Sequence, residues 1–394
     1  MAIKSIKDLA IREKRVFIRT DFNVPMDKKG NITDTTRIEA AIPTIRHAIE
    51  HNARVIIASH FGRPDGERKM EYSMEPVAAK LAELMDIEVI FFEDCIGMGT
   101  QQMVRDLKPG QVLVLENLRF YPGEGDNDGA FAKDLAKLCD IYINDAFGVS
   151  HRKNASVHAL PLLMETKGMG FLMEKEITEL GKLLHFKRGD GFTAILGGAK
   201  VSDKIGIIRS LLDSVDALII GGAMAYTFLA AKGIKLGSSL VEKDKVSVAL
   251  EVIKGAEARK VKLLLPVDHL AATGIDATET KVFGNDDFAD NYLGFDIGPK
   301  TIKLYADEVA KAKTIFWNGP MGVFEKDIFA KGSIALAHAV GEATAFTVTG
   351  GGDSVSMMNK AGVADKIGHI STGGGASLEF IRDKTLPGVE ALKG

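Results

Sequence analysis

Cysteine is almost absent from the 394 residues: Cys95 and Cys139 stand far apart, in no CxxC or Cys/His spacing. That excludes a disulfide framework and a cysteine-based structural zinc site, and it fits a reducing, cytoplasmic compartment. Charge of one sign is also lacking, since 50 Lys and Arg stand against 53 Asp and Glu for a balance of −3. Global attraction to nucleic acid or to an anionic membrane is thereby excluded, and any anion site must be local. The longest nearly apolar run, Ala217 to Ala231, is bounded by Asp216 and Lys232 and broken by two glycines, short of the ~20 residues of a spanning helix. Met1 to Arg15 mixes charged with apolar residues, so no signal peptide is expected there. Familiar fingerprints are missing as well. The one Gly-Lys pair, Gly181-Lys182, is followed by Leu, and no GxGxxG, GxSxG or HExxH occurs. An ordinary P-loop, a dinucleotide site and a hydrolase site all lose support.

What is present is an ordinary globular composition, 46% hydrophobic and 26% charged, at a length that predicts two domains. Short runs rich in Val, Ile and Phe recur, each followed by helical spacing, which reads as repeated β-α units with buried parallel strands. The first half has them at Val16–Val24, Arg54–His60, Glu88–Glu93, Gln111–Phe120 and Asp140–Phe147. The second half has them at Phe192–Leu196, Ala217–Ile220, Lys262–Val267, Thr314–Trp317, Phe346–Thr349 and His369–Ser371. Between the halves, Met173, Ile177, Leu180 and Leu184 predict a lone helix over about 170–184, followed by a Gly-rich break. The expected fold class is therefore α/β, two doubly wound parallel-sheet (Rossmann-like) domains joined by this helix as a hinge.

In such sheets ligands bind beyond the carboxyl ends of the strands, and the strand exits of the two halves differ in chemistry. Those of the first half carry Asp21, Asn23, His60, Arg63, Arg119, His151 and Arg152, with Arg37 after a polar loop. Arginine forks match phosphate and carboxylate oxygens, so the ligand expected there is a small polyanion with hydroxyl groups. Taken singly each residue has a bland reading, and Asp21 could simply balance Arg19. Exits of the second half are glycine-rich. Gly197-Gly-Ala-Lys-Val-Ser-Asp-Lys204 places Lys200 and Lys204 at a helix start, with Ser202 as the expected N-cap. Cations are disfavoured there, which points to a missing anion. Two triple-glycine turns follow at 350–352 and 373–375, with Asp353 suited to hold Mg²⁺ beside phosphate oxygens, and a tight loop presents Asn318 and Glu325.

Taken together, RTDFNVP at 19–25, SHFGRP at 59–64, ENLRF at 116–120, GGAKVSDKI at 197–205, FWNGPMGVFE at 316–325 and GGGDSVS at 350–356 resemble the phosphoglycerate kinase family in order and spacing. The resemblance implies reversible Mg²⁺-dependent phosphoryl transfer between ATP and 3-phosphoglycerate, by a cytoplasmic monomer with small-molecule substrates and no nucleic-acid or membrane partner. It assigns Asp21, Asn23, Arg37, His60, Phe61, Gly62, Arg63, Arg119 and Arg152 to the acid. Gly198, Lys200, Lys204, Gly294, Asn318, Glu325, Gly351, Gly352, Asp353 and Ser354 are assigned to the nucleotide. Arg37, Lys200 and Gly374 attend the transferred group. It further implies an acid-binding domain over 1–169, a hinge helix and nucleotide domain over 170–376, and a final segment, 377–394, that packs back on the first domain. A nicotinamide dehydrogenase and a non-catalytic two-domain binding protein are the competing classes.

Overall fold

The computed structural model describes residues 3–393. The chain divides into two units, Met1–Thr178 with Thr385–Gly394, and Glu179–Lys384. The first is built on six parallel strands, β1 (Arg15–Thr20), β2 (Arg54–Ala58), β3 (Val89–Phe92), β4 (Val112–Leu115), β5 (Ile141–Asp145) and β6 (Lys167–Met169), in the order β3-β4-β2-β1-β5-β6. Alternate residues feed two cores. Val16, Ile18, Val55, Ile57, Val112, Val114, Ile141 and Ile143 enter one, while Phe17, Ile56, Leu113, Leu115 and Tyr142 enter the other. Burial on both faces is why these strands read as continuous apolar runs rather than as alternation.

The second unit repeats the design with β7 (Phe192–Leu196), β8 (Ala217–Ile220), β9 (Lys262–Leu264), β13 (Thr314–Asn318), β14 (Phe346–Gly350) and β15 (His369–Ser371), ordered β15-β14-β13-β7-β8-β9 and all parallel. Between β9 and β13 the chain inserts a three-stranded antiparallel sheet, β10 (Asp268–Ala272), β11 (Lys281–Gly284) and β12 (Leu293–Ile297), that the sequence did not disclose. Strand order reverses between β1 and β5 in one unit and between β7 and β13 in the other, the crevices where ligands collect in open α/β sheets.

Six helices bear on the sites: α1 (Thr36–Glu50), α2 (Phe171–Leu183), α3 (Ile205–Leu211), α4 (Met224–Ala231), α5 (Gly352–Lys360) and α6 (Gly375–Asp383). The expected hinge helix is α2, and the division between the units falls inside it, after Thr178 rather than before residue 170. The tail differs from expectation too. Residues 377–384 remain with the second unit, most of them in α6, and only the chain from Thr385 onward joins the first. There Leu392 enters the first unit's core and the Gly388 N–H donates to the Ser150 carbonyl at 2.8 Å.

Candidate active site

Asp21 leaves β1 nearly buried, and its Oδ2 accepts a hydrogen bond from Arg37 Nη1 at 2.8 Å. Arg37 lies in the first turn of α1, where a cation opposes the helix dipole, and Asp21 compensates. Asn23 Oδ1 accepts the Gly62 N–H at 2.9 Å, and Arg119 Nη1 donates to the Gly62 carbonyl at 2.8 Å. Gly62 thus ties together the exits of β1, β2 and β4. Its φ is +61°, and a Cβ there would stand 2.2 Å from the Tyr72 ring. Phe61 is buried edge-on against the same Tyr72.

The open question over Asp21 is settled by Arg19, which turns elsewhere. Arg19 Nε donates to Ser156 Oγ at 2.7 Å and its Nη2 lies 3.7 Å from Glu124 Oε1, with both charges buried. His60 is buried beside it. Burial, and then the charges of Arg19, Arg119, Arg37 and Arg152, hold the imidazole pKa well below its usual 6.5, so the ring is neutral. Arg19 Nη2 sits 3.3 Å from His60 Nδ1, and a guanidinium only donates, so the ring proton resides on Nε2, 3.9 Å from Asp21 Oδ1. Burial and the neighbouring Arg19 and Arg152 also push Arg119 down to about 10. Arg63, Arg119 and Arg152 line a cavity of about 790 Å³, joined by Lys153, which the sequence did not single out. Asp65 and Asp126 share the lining, so four cations stand over two carboxylates and the wall keeps an excess of positive charge that suits an anion.

In the second unit the turns after β7 and β13 touch backbone to backbone. The Gly198 N–H donates to the Pro320 carbonyl at 3.1 Å, and a Cβ on Gly197 would lie 2.0 Å from that same oxygen. Over these turns lies a cavity of about 470 Å³ lined by Gly198, Gly222, Tyr226, Gly294, Glu325 and Asp353 among apolar side chains such as Leu293 and Val323. Its size and its mix of apolar walls with a few polar groups suit a small organic ligand. Asn318 stands at the end of β13. Its Oδ1 accepts from Lys204 Nζ, and its Nδ2 donates to the Gly350 carbonyl at 2.6 Å. Ser354 Oγ accepts the Gly319 N–H at 2.6 Å. Burial pulls the Lys204 ammonium down to about 8, against the raising influence of Asp203 and Asp353. Gly351 and Gly374 are the N-cap residues of α5 and α6, with φ of +96° and +55°.

Of the residues expected to hold the nucleotide, Gly198, Gly294, Glu325 and Asp353 line this cavity, whereas Lys204, Asn318, Gly351, Gly352 and Ser354 do not, nor do Gly374 and Lys200, the latter exposed on the β7 turn. Ser202 is not the cap of α3; Lys204 occupies that position, and the Ser202 hydroxyl donates to Glu242 instead. Gly222 and Tyr226 went unnoticed in the sequence, although Gly221-Gly222 after β8 is one more glycine-rich exit. Among the described residues no three His, Cys, Asp or Glu side chains gather to hold a metal. Asp353 nevertheless offers a hard, exposed carboxylate at the cavity wall, the donor set of a cation whose other ligands are phosphate oxygens.

The sequence profile of the phosphoglycerate kinase family matches residues 6–384. The chain belongs to the phosphoglycerate kinase family. It is 50% identical to the phosphoglycerate kinase of Anaeromyxobacter sp. (strain Fw109-5), over 100% of both chains. The phosphoglycerate kinase of Koribacter versatilis is 51% identical, with 100% of this chain and 99% of that one covered. The solved structure of phosphoglycerate kinase from Coxiella burnetii superposes with a TM-score of 0.89 at 39% identity, covering 99% and 98% of the two chains. That from Pyrococcus horikoshii OT3 gives 0.86 at 35% identity, covering 98% of each. The phosphoglycerate kinase fold accordingly accounts for the two six-stranded parallel sheets.

Proposed function

We propose that the chain transfers the γ-phosphoryl group of ATP to the carboxylate of 3-phosphoglycerate, reversibly, giving ADP and 1,3-bisphosphoglycerate in glycolysis and gluconeogenesis. The observation that carries this reading is the pairing, within one member of this family, of an arginine-lined cavity in one unit with a glycine-walled cavity in the other. Arg63, Arg119 and Arg152 take the phosphate of the acid, while Asp21, Asn23 and the His60 Nε2–H address its hydroxyl and carboxylate. Gly198, Gly294 and Glu325 receive base and ribose. Lys204, Asn318 and the 351–354 turn receive the phosphates, and Asp353 would hold Mg²⁺, which when bound neutralises phosphate charge.

A carboxylate oxygen forms the new P–O bond as the bond to the β-phosphate oxygen breaks. The nucleophile is already ionised at neutral pH, so no general base is needed. What the protein supplies is alignment and charge: Arg37, Lys200 and the Gly374 turn neutralise the travelling phosphoryl group. With acid and nucleotide held on different units, transfer requires a closing motion, for which α2 serves as hinge and which also excludes water. We take the enzyme to act as a cytosolic monomer. A coupled assay with ATP, Mg²⁺ and 3-phosphoglycerate tests the reading, and acid-dependent ADP formation is expected. Tight binding of both compounds without turnover would indicate a binding protein, and turnover only with a nicotinamide cofactor would indicate a dehydrogenase.

A further inference from the structure

The turn that carries Lys200 and Lys204 is held by a carboxylate from a distant part of the chain. Glu242 Oε2 accepts the backbone N–H of Val201 and, at 3.3 Å, that of Ser202, while its Oε1 accepts the Ser202 hydroxyl at 2.7 Å. Three donors between the two lysines thus end on one side chain. Glu242 is itself anchored, because its backbone N–H donates to Thr227 Oγ1 at 3.1 Å, and Thr227 is buried in α4. Val201 is also buried and its carbonyl accepts the Lys204 N–H at 2.9 Å, but α3 begins only at Ile205, its N-cap has no side-chain bond, and Lys200 and Asp203 are exposed, so Glu242 supplies the side-chain bonds at the middle of the turn.

We propose that Glu242 is a positioning residue for phosphoryl transfer, a clamp that fixes the 199–204 turn so that Lys200 meets the transferred group in one geometry. The inference rests on the role given to Lys200 above. Misplacement of a transfer group by about 1 Å costs on the order of 10²-fold in rate, so loss of the clamp acts on turnover. Glutamine can replace all three bonds: its carbonyl oxygen accepts both N–H groups and its amide donates to the Ser202 hydroxyl, which accepts in turn. Geometry and charge are thereby separable.

The test compares Glu242→Ala, Glu242→Gln and Lys200→Ala in steady-state kinetics with both substrates, with amide hydrogen exchange at Val201 and Ser202 and thermal denaturation alongside. Glu242→Ala is expected to lower kcat by about 10- to 100-fold with KM for 3-phosphoglycerate unchanged and faster exchange at both amides, while Glu242→Gln stays within about threefold of the wild type. The proposal is overturned if Glu242→Ala keeps kcat within twofold, or if Glu242→Gln is as impaired as Glu242→Ala. Should Glu242→Ala not fold, Ser202→Ala decides, with a severalfold lower kcat expected and an unchanged one contradictory. If Lys200→Ala retains full turnover, the role of Lys200 is what fails, whatever Glu242 does.

Discussion

Lys200 and Lys204 sit four positions apart on one turn in different physical states. Lys200 is exposed, whereas Lys204 is largely buried against Asn318 with its ammonium pulled down to about 8. Different tasks follow. Lys200→Ala is expected to lower kcat by about 10²- to 10³-fold, the cost of deleting one charge-stabilising donor, with nucleotide affinity nearly unchanged; a defect confined to affinity would reassign the residue. In the proposed mechanism Lys204 meets a phosphate as a cation, and an incoming phosphate would then raise its pKa. Above about pH 8 nucleotide binding is then expected to take up a proton, with affinity falling as pH rises further. Titration calorimetry at pH 8.5 in buffers of different ionisation enthalpy should report that uptake, and Lys204→Arg should remove it. Uptake that persists in the arginine variant would place the proton elsewhere.

At the scale of elements, the start of α2 depends on the end of β5. Asp145 Oδ1 accepts the Met173 N–H at 3.1 Å, Thr44 Oγ1 accepts the Phe171 N–H at 2.8 Å, and a Cβ on Gly170 would lie 2.3 Å from the Asp145 carboxyl. Burial pushes that carboxyl up to about 7, above its ordinary 3.8, against the opposing bonds from Thr44, Met173 and Leu172. Its protonated form therefore favours the folded state. The contribution is full below about pH 4 and is lost as pH rises through about 7. Asp145→Asn is accordingly expected to raise the melting temperature more at pH 8 than at pH 5; equal shifts at both would show that this carboxyl does not titrate as stated.

The helix α2 itself was legible because Met173, Ile177, Leu180 and Leu184 keep a helical period, and the long parallel strands because burial on both faces makes them apolar throughout. The antiparallel insertion was not legible. Lys281 and Val282 of β11 are exposed, and β12 opens with half-buried Leu293-Gly294-Phe295, so neither run alternates cleanly. Three-residue β6, Lys-Gly-Met, carries no β-branched residue. Strand ends were placed too late wherever apolar residues continued into the exit loop, as with Phe22 and Val24 beyond Thr20 and Leu118 and Phe120 beyond Leu115. Among the candidate site residues, Asn318 and Asp353 were visible as polar groups at a strand end or beside glycine, and Arg37 as an arginine following a polar loop. Tyr226 and Glu242 reach their places only through long-range packing, and nothing local marks them.

For the molecule as a whole, each unit buries its own sheet and carries its own cavity, one basic and one walled by glycine turns. Binding of the two substrates should consequently fail independently. Arg63→Ala is expected to weaken 3-phosphoglycerate binding about tenfold or more while sparing nucleotide, and Asp353→Asn to weaken magnesium-nucleotide binding while sparing the acid. Titration of each variant with each ligand checks this, and loss of both affinities from either substitution would contradict separate sites. In the proposed mechanism turnover then depends on bringing the two reactants together. Small-angle scattering tests this directly: the radius of gyration should fall further with 3-phosphoglycerate and magnesium nucleotide together than with either alone. A radius unchanged in the ternary complex of an active enzyme would contradict the account.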